Sequence, residues 1–230
     1  NIPVIELKIN DKPYSIKTEW SEFSFKEYAA LFKVADKPLV EKISLYSGLP
    51  VAIVNQLNLE QLSFVCESIS FIEQPENALI FAEAYSDELN IGRRTYKELE
   101  QSLIFIRNAG SPLAAIDKVV NVYYGEDISD QPLLKVLGKG QHVLNLISKF
   151  MLEFKRLNEY EPTIEELEAG VDELSKFGFF GTSVQLARKY GQTHDQVLNM
   201  PAREVYTTLL YDFEQSEVER KLNSIRSRKK

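Results

Sequence analysis

The chain is 230 residues long, 44% hydrophobic and 27% charged, with a formal net charge of -7 and a pI of about 5.1. That length and apolar content suffice for one large domain or two small ones, and the acidic balance argues against whole-surface attraction to nucleic acid or anionic membrane. No run approaches the roughly 20 apolar residues of a membrane span, and NIPVIELKIN lacks the basic start and apolar stretch of a secretory signal, so a soluble chain made in the cytoplasm is expected.

The first element reads as a β-hairpin. Ile5, Leu7 and Ile9 alternate with Glu6 and Lys8, Asn10-Asp11-Lys12 supplies turn chemistry, and Pro13–Lys17 can return as a second strand. Helices are expected to support it. Ser24 can cap a helix on which Phe25, Tyr28, Ala29 and Phe32 share a face. Lys37–Leu45 starts another, with Pro38 in its first turn, and stops near Gly48-Leu49-Pro50. Val51–Leu57 and Leu59–Ile72 continue as short helices. In the second of these, the single cysteine, Cys66, is expected as a buried thiol acting as a small hydrophobe.

Glu76–Glu88 fits strand or helix equally. Asn90–Arg94 reads as a turn before a helix through Tyr96–Arg107, and Ser111 can cap a helix over Leu113–Tyr124. After a polar loop, Gly125–Pro132, the strongest helix is predicted to begin beyond Gly138 and Gly140. Its stripe is Val143, Leu144, Ile147, Phe150, Met151, Phe154 and Leu157, a core pattern rather than a cofactor or membrane surface. Thr163 and Glu166 form a capping box, with Ile164, Leu167, Val171 and Leu174 along one packed side and the carboxylates Glu165, Glu166, Glu168, Asp172 and Glu173 on the solvated side. Glu161, Glu165 and Glu166 also suit the helix dipole. The glycines of KFGFFGTS end that helix; two short helices and a long one, Ala202–Leu222, follow. No internal repeat is evident. The predicted fold is thus mainly α with a small N-terminal β-hairpin (α+β), a multi-helix, bundle-like architecture in three consecutive parts: 1–74, 75–160 and 161–230.

No chemistry-bearing set emerges. The two histidines, His142 and His194, lie far apart; His142 reads as a cap or surface residue, and His194 as the first residue after the N-cap Thr193. Neither has a nucleophile elbow beside it, and one cysteine with two distant histidines offers no zinc spacing. LGKGQ, 137–141, lacks the first glycine and final Ser/Thr of a phosphate loop. No enzymatic activity, cofactor or metal is expected.

One stretch, LARKYGQTHDQVLNMP (186–201), has helix-turn-helix spacing at Ala187, Gly191 and Val197. As a DNA reader it would present Gln196 and Asn199 to adenine edges, yet only Arg188, Lys189 and Arg203 are near to neutralise phosphates. As an αα-hairpin every residue is accounted for: Gly191 caps one helix, Thr193 and Gln196 box the next, and Val197 and Leu198 pack. The packing reading is preferred. The last eleven residues, RKLNSIRSRKK, hold six bases and no acid, leaving 21 bases against 34 acids, net -13, on the remainder. Val218, Leu222 and Ile225 suggest that the final helix runs into this tail with an apolar seam, so the tail reads either as a partner-binding helix end or as a solvated terminus.

Two segments resemble proteins of the structural and assembly gene clusters of tailed bacteriophages. IELKINDKPYSIKTEWSEFSFKEYAAL with EKISLYSGLPVAIVNQLNLEQLSFV is similar to a phage pattern carried here by Trp20, Phe25, Tyr28, Ile43, Leu45, Ser47 and Gly48. EPTIEELEAGVDELSKFGFFGTSVQLARKYG with VLNMPAREVYTTLLYDFE also resembles such proteins, including tail assembly chaperone-like ones. The resemblance implies a non-enzymatic protein that acts through protein–protein contacts in virion assembly, as a virion component or a tail assembly chaperone. It would work in the host cytoplasm or be retained in the particle. The implied partners are phage structural proteins of the tail, portal or neck, with further copies of the same chain an open option; nucleic acid and membrane are not expected partners. Candidate contact residues are Phe179, Phe180, Tyr206, Tyr211, Arg226, Arg228, Lys229 and Lys230. The alternative is a DNA-binding regulator using residues 186–200.

Overall fold

A computed structural model describes residues 5–33, 37–73, 75–109, 113–159, 162–168 and 170–227. The expected cap Ser111, the dipole partner Glu161 and the contact candidates Arg228, Lys229 and Lys230 lie outside these residues. The fold is mainly α with one small hairpin, as the periodicities predict. Strands β1 (Ile5–Ile9) and β2 (Lys12–Ile16) pair antiparallel with Ile9 opposite Lys12. Asn10 and Asp11 therefore make a two-residue turn, both at positive φ (49° and 61°), a conformation that Asn and Asp tolerate better than other side chains do.

Eleven α-helices follow among the described residues. They are α1 (Phe25–Leu31), α2 (Leu39–Ser47), α3 (Val51–Val54), α4 (Leu59–Ser68), α5 (Tyr96–Asn108), α6 (Ile116–Tyr124), α7 (Leu133–Glu153), α8 (Ile164–Glu168), α9 (Gly178–Tyr190), α10 (His194–Asn199) and α11 (Ala202–Ser227). Capping boxes open α1 at Ser24–Glu27, α5 at Thr95–Glu98 and α10 at Thr193–Gln196, and Thr163 and Glu166 exchange the same bonds before α8. Gly48 (φ 79°) and Gly191 (φ 65°) end α2 and α9 in the left-handed region, which lacks the Cβ penalty only for glycine.

Tertiary packing corrects several expectations. The ambiguous stretch after Glu76 is neither strand nor α-helix: a 3-10 segment covers Pro75–Phe81, and irregular chain follows. Helix α1 ends at Leu31, so Leu31 takes the buried place expected of Phe32, which is exposed. On α4 and its continuation Val65, Ile69 and Ile72 face inward, leaving Cys66 a hundred degrees or so away and exposed. Helix α7 starts five residues before Gly138 and runs through both glycines, because backbone must approach it there: a Cβ on Gly138 would collide with the Glu83 carbonyl oxygen, while Glu83 N donates to Leu134 O at 3.0 Å. His142 is consequently mid-helix rather than a cap, its ring edge-on to Tyr85 at 5.6 Å. In the other direction, α8 lasts five residues; Gly170 (φ 82°) turns the chain into a 3-10 segment, Val171–Phe177. The stripe Ile164, Leu167 and Leu174 therefore never aligns on one buried side, and all three are exposed. The KFGFFGTS glycines open α9 rather than closing a helix.

The chain forms two compact units, Asn1–Ser86 with Tyr124–His142, and Asp87–Tyr123 with Val143–Lys230. The three consecutive parts do not coincide with these units, since each unit joins segments distant in sequence. Both do so by one device, whose two copies share the pattern Ser/Thr-aromatic-Lys-Glu at 24–27 and 95–98. In the first unit a 3-10 turn (Trp20–Glu22) leads to the N-cap Ser24, which bridges antiparallel to Pro132 just before α7. Phe25 N donates to Gln131 O (3.0 Å) and Leu133 N to Phe23 O (2.9 Å). In the second, a 3-10 turn (Ile91–Arg93) leads to the N-cap Thr95, which bridges to Pro201 just before α11. There Tyr96 N donates to Met200 O (2.8 Å) and Ala202 N to Arg94 O (2.7 Å). In both bridges the proline occupies the position whose N–H would point away from its partner, so its missing donor costs nothing and its fixed φ starts the helix.

Candidate functional site

The C-terminal helices of the second unit carry the sequence-selected residues. Helix α9 ends at Gly191, and α10 begins two residues later behind Thr193, so a helix-turn-helix shape does form. Ala187 and Val197 are buried inside it. Its reading groups are committed to the backbone: Gln196 Oε1 accepts from Thr193 N (2.8 Å), and Asn199 Nδ2 donates to Asp195 O (2.8 Å). Two of the three nearby cations are paired as well. Lys189 meets Asp212 at 2.5 Å, and Arg203 meets Glu153 at 2.6 Å while its guanidinium lies over the Phe150 ring.

His194 Nδ1 lies 2.9 Å from Ser183 Oγ, and its ring stands edge-on to Phe180 with centroids 4.9 Å apart. Ser183 Oγ also donates to Phe180 O at 2.9 Å, which uses the one hydroxyl proton; Nδ1–H then donates to Oγ. Ser183 is fully buried, so this pair joins α9 to α10 and cannot present a nucleophile to a substrate. Among the described residues no three His, Cys, Asp or Glu side chains gather as a metal ion would require.

Beneath these helices lies a buried polar cluster that the sequence did not single out. Tyr206 OH donates to Glu100 Oε1 at 2.9 Å, and Tyr96 also bonds the carboxylate. Burial pushes the Glu100 carboxyl above the usual glutamate range, with the two tyrosine hydroxyls opposing the shift. Burial likewise raises both tyrosines, Glu100's negative charge adding to the effect. Phe150 and Phe154 close over Tyr206 at 5.5 and 5.4 Å. Tyr206 is therefore a core residue, 7% exposed, and not the surface contact expected of it. The step Ala202–Val205–Tyr206, at helical spacing, was the signal for that role.

The remaining candidates are dispersed. Phe179 is half-buried; Phe180 is exposed at the start of α9; Tyr211 is exposed on α11; Arg226 is exposed in its last turns. A cleft of about 480 Å³ runs between α8, α9 and α11, walled by Leu186, Phe213 and the ion pairs Lys189–Asp212 and Arg220–Glu166 (2.7 Å). Each cation lining it faces a carboxylate, so the cleft offers no unopposed positive charge for a phosphate. Outside the cleft lining, Ile164, Leu174, Phe177 and Phe180 are exposed apolar side chains within one stretch of sequence. No helix among the described residues is long and apolar enough to cross a membrane. Compared with protein-family models, curated proteins and solved structures, the chain matches none.

Proposed function

We propose that this chain is a non-enzymatic protein of a tailed bacteriophage that acts through protein–protein contacts in virion assembly, as a virion component or a tail assembly chaperone. The phage part of the reading rests on the resemblance of residues 5–31, 41–65, 161–191 and 197–214. The contact part rests on one observation: within residues 164–180 the large apolar side chains Ile164, Leu174, Phe177 and Phe180 are exposed. Such a surface suits a protein partner, because its burial supplies the driving force that a polar cleft lacks. The partners are structural proteins of the tail, portal or neck, met in the host cytoplasm.

Mass spectrometry of purified particles and pulldown from infected cells test this reading. The chain should appear in particles or with assembly intermediates, and Phe177→Asp/Phe180→Asp should lose the association while keeping wild-type helix content. Absence from both would overturn it. The helix-turn-helix regulator is the second reading, favoured by the α9–α10 geometry alone; duplex retardation that falls steeply with salt and is lost in Arg188→Ala/Lys189→Ala would establish it instead.

A further inference from the structure

Helix α11 reverses its charge part-way along: Asp212, Glu214, Glu217 and Glu219 come first, and Arg220, Lys221 and Arg226 follow. Two short helical pieces of the same unit carry the opposite order. Lys155 and Arg156 open a 3-10 segment, Lys155–Glu159, and Glu165, Glu166 and Glu168 belong to α8. They meet α11 in that order. Arg156 Nε donates to Glu214 Oε1 at 3.1 Å, with its guanidinium 5.5 Å from the centre of the Phe213 ring. Further along α11, Arg220 Nη2 donates to Glu166 Oε1 at 2.7 Å. Burial adds little to these pairs. No residue of α8 is buried, Ile164 and Leu167 are 73 and 46% exposed, and Lys155 and Arg156 are exposed. Each paired side chain keeps a third to a half of its surface in water, where ion pairs are weak and screened by salt. The cleft that Glu166 and Arg220 line has an apolar floor: Leu186 is buried, and Leu209 and Phe213 are half-buried.

We propose that these two pieces form a strap over the cleft, fastened to α11 by exposed ion pairs and released by salt. Release uncovers Phe213, which lies under Arg156, together with Leu209 and Leu186. Opening is cheap because no side chain of α8 leaves a buried place. The helices beneath do not share that weakness: α9, α10 and α11 are anchored by Leu186, Val197 and Val205, each buried. Ionic strength therefore sets how often the cleft floor is accessible, with the underlying helices intact. Each pair changes the open fraction by about two- to fivefold. The charge reversal along α11 is the feature that makes the strap dock in one direction, since the opposite order would set acid against acid and base against base. The inference concerns this chain alone and is independent of the phage reading.

Thiol labelling of Leu209→Cys in a Cys66→Ser background reads the opening. Its rate should rise severalfold between about 0.05 and 0.5 M salt. At low salt Arg220→Glu should label faster, and the charge exchange Glu166→Arg/Arg220→Glu should return the rate to that of the parent. Val205→Cys in the same background should stay unreactive throughout, because Val205 is 1% exposed. In the unsubstituted chain, the Leu167 amide, which donates to Thr163 O, should exchange faster with added salt relative to the Gln196 amide. A labelling rate indifferent to salt and to Arg220→Glu, a charge-exchanged chain as fast as the single reversal, or equal reactivity at position 205 would each overturn the proposal. So would an unchanged ratio of the two amide rates.

Discussion

Replacing Gly138 by alanine separates what a helix prefers from what this fold requires. In an isolated helix the change is favourable by about 1 kcal/mol, because glycine has the larger conformational entropy to lose. In α7 the new methyl group would overlap the Glu83 carbonyl oxygen, which is main chain and cannot swing aside. Relieving the overlap costs about 1–3 kcal/mol by the usual penalty for overpacking, and about 1 kcal/mol more if the bond from Glu83 N to Leu134 O is broken. The net expectation is destabilisation by roughly 1–3 kcal/mol. Trp20 is the sole tryptophan, is buried, and belongs to the same unit as Gly138, so its fluorescence during urea unfolding reports on the right region. The midpoint should fall by roughly 0.5–1 M, whereas Glu83→Ala should leave it nearly unchanged, because the contact is made by the backbone. An unchanged or raised midpoint for Gly138→Ala would show that residue 83 does not lie against α7 and would refute the account of this unit's packing.

Other outcomes follow from the second unit and from the loop before α7. Glu100 is held above its ordinary pKa of 4.5, so above that pH the folded chain keeps a proton that the unfolded chain has lost, and stability falls as pH rises through the folded value. Glu100→Gln lacks this component; its stability relative to wild type should climb between pH 4.5 and neutrality, and a flat difference in urea melts would show that burial does not perturb the carboxyl. Glu126 is the opposite case, since the Lys139 ammonium (2.7 Å) holds its carboxyl below the usual range. In Lys139→Met the Glu126 carboxyl should titrate at higher pH by NMR, and the pair's stabilisation, present near neutrality and lost as pH falls through the depressed value, should disappear. Thr193→Ala removes the cap of α10 and should cost about 1 kcal/mol, seen as faster amide exchange at Gln196, whose N–H donates to Thr193 Oγ1.

Local chemistry was legible in the sequence. Strand alternation, the Asn10-Asp11 turn, the cap at Ser24, the capping boxes at Thr163–Glu166 and Thr193–Gln196 and the glycine stop at Gly191 depend on residues within a few positions of one another, so the class of fold and the α9–α10 hairpin follow from reading along the chain. The exposed seam of α11 was legible too, because Val218, Leu222 and Ile225 repeat on one helix. Partners distant in the chain decided the rest. Gly138 looks like part of a break until the Glu83 carbonyl is seen against the helix. Tyr206 looks like a surface aromatic until Glu100, 106 residues earlier, is found bonded to its hydroxyl. Ile164 and Leu174 look like core until Gly170 turns the chain between them. Sequence by itself determined the class of fold and the caps at Ser24, Thr163 and Thr193, because those energies are local; the tertiary structure decided where α7, α8 and α9 begin and end and which apolar faces are covered, because burial depends on what another part of the chain brings alongside.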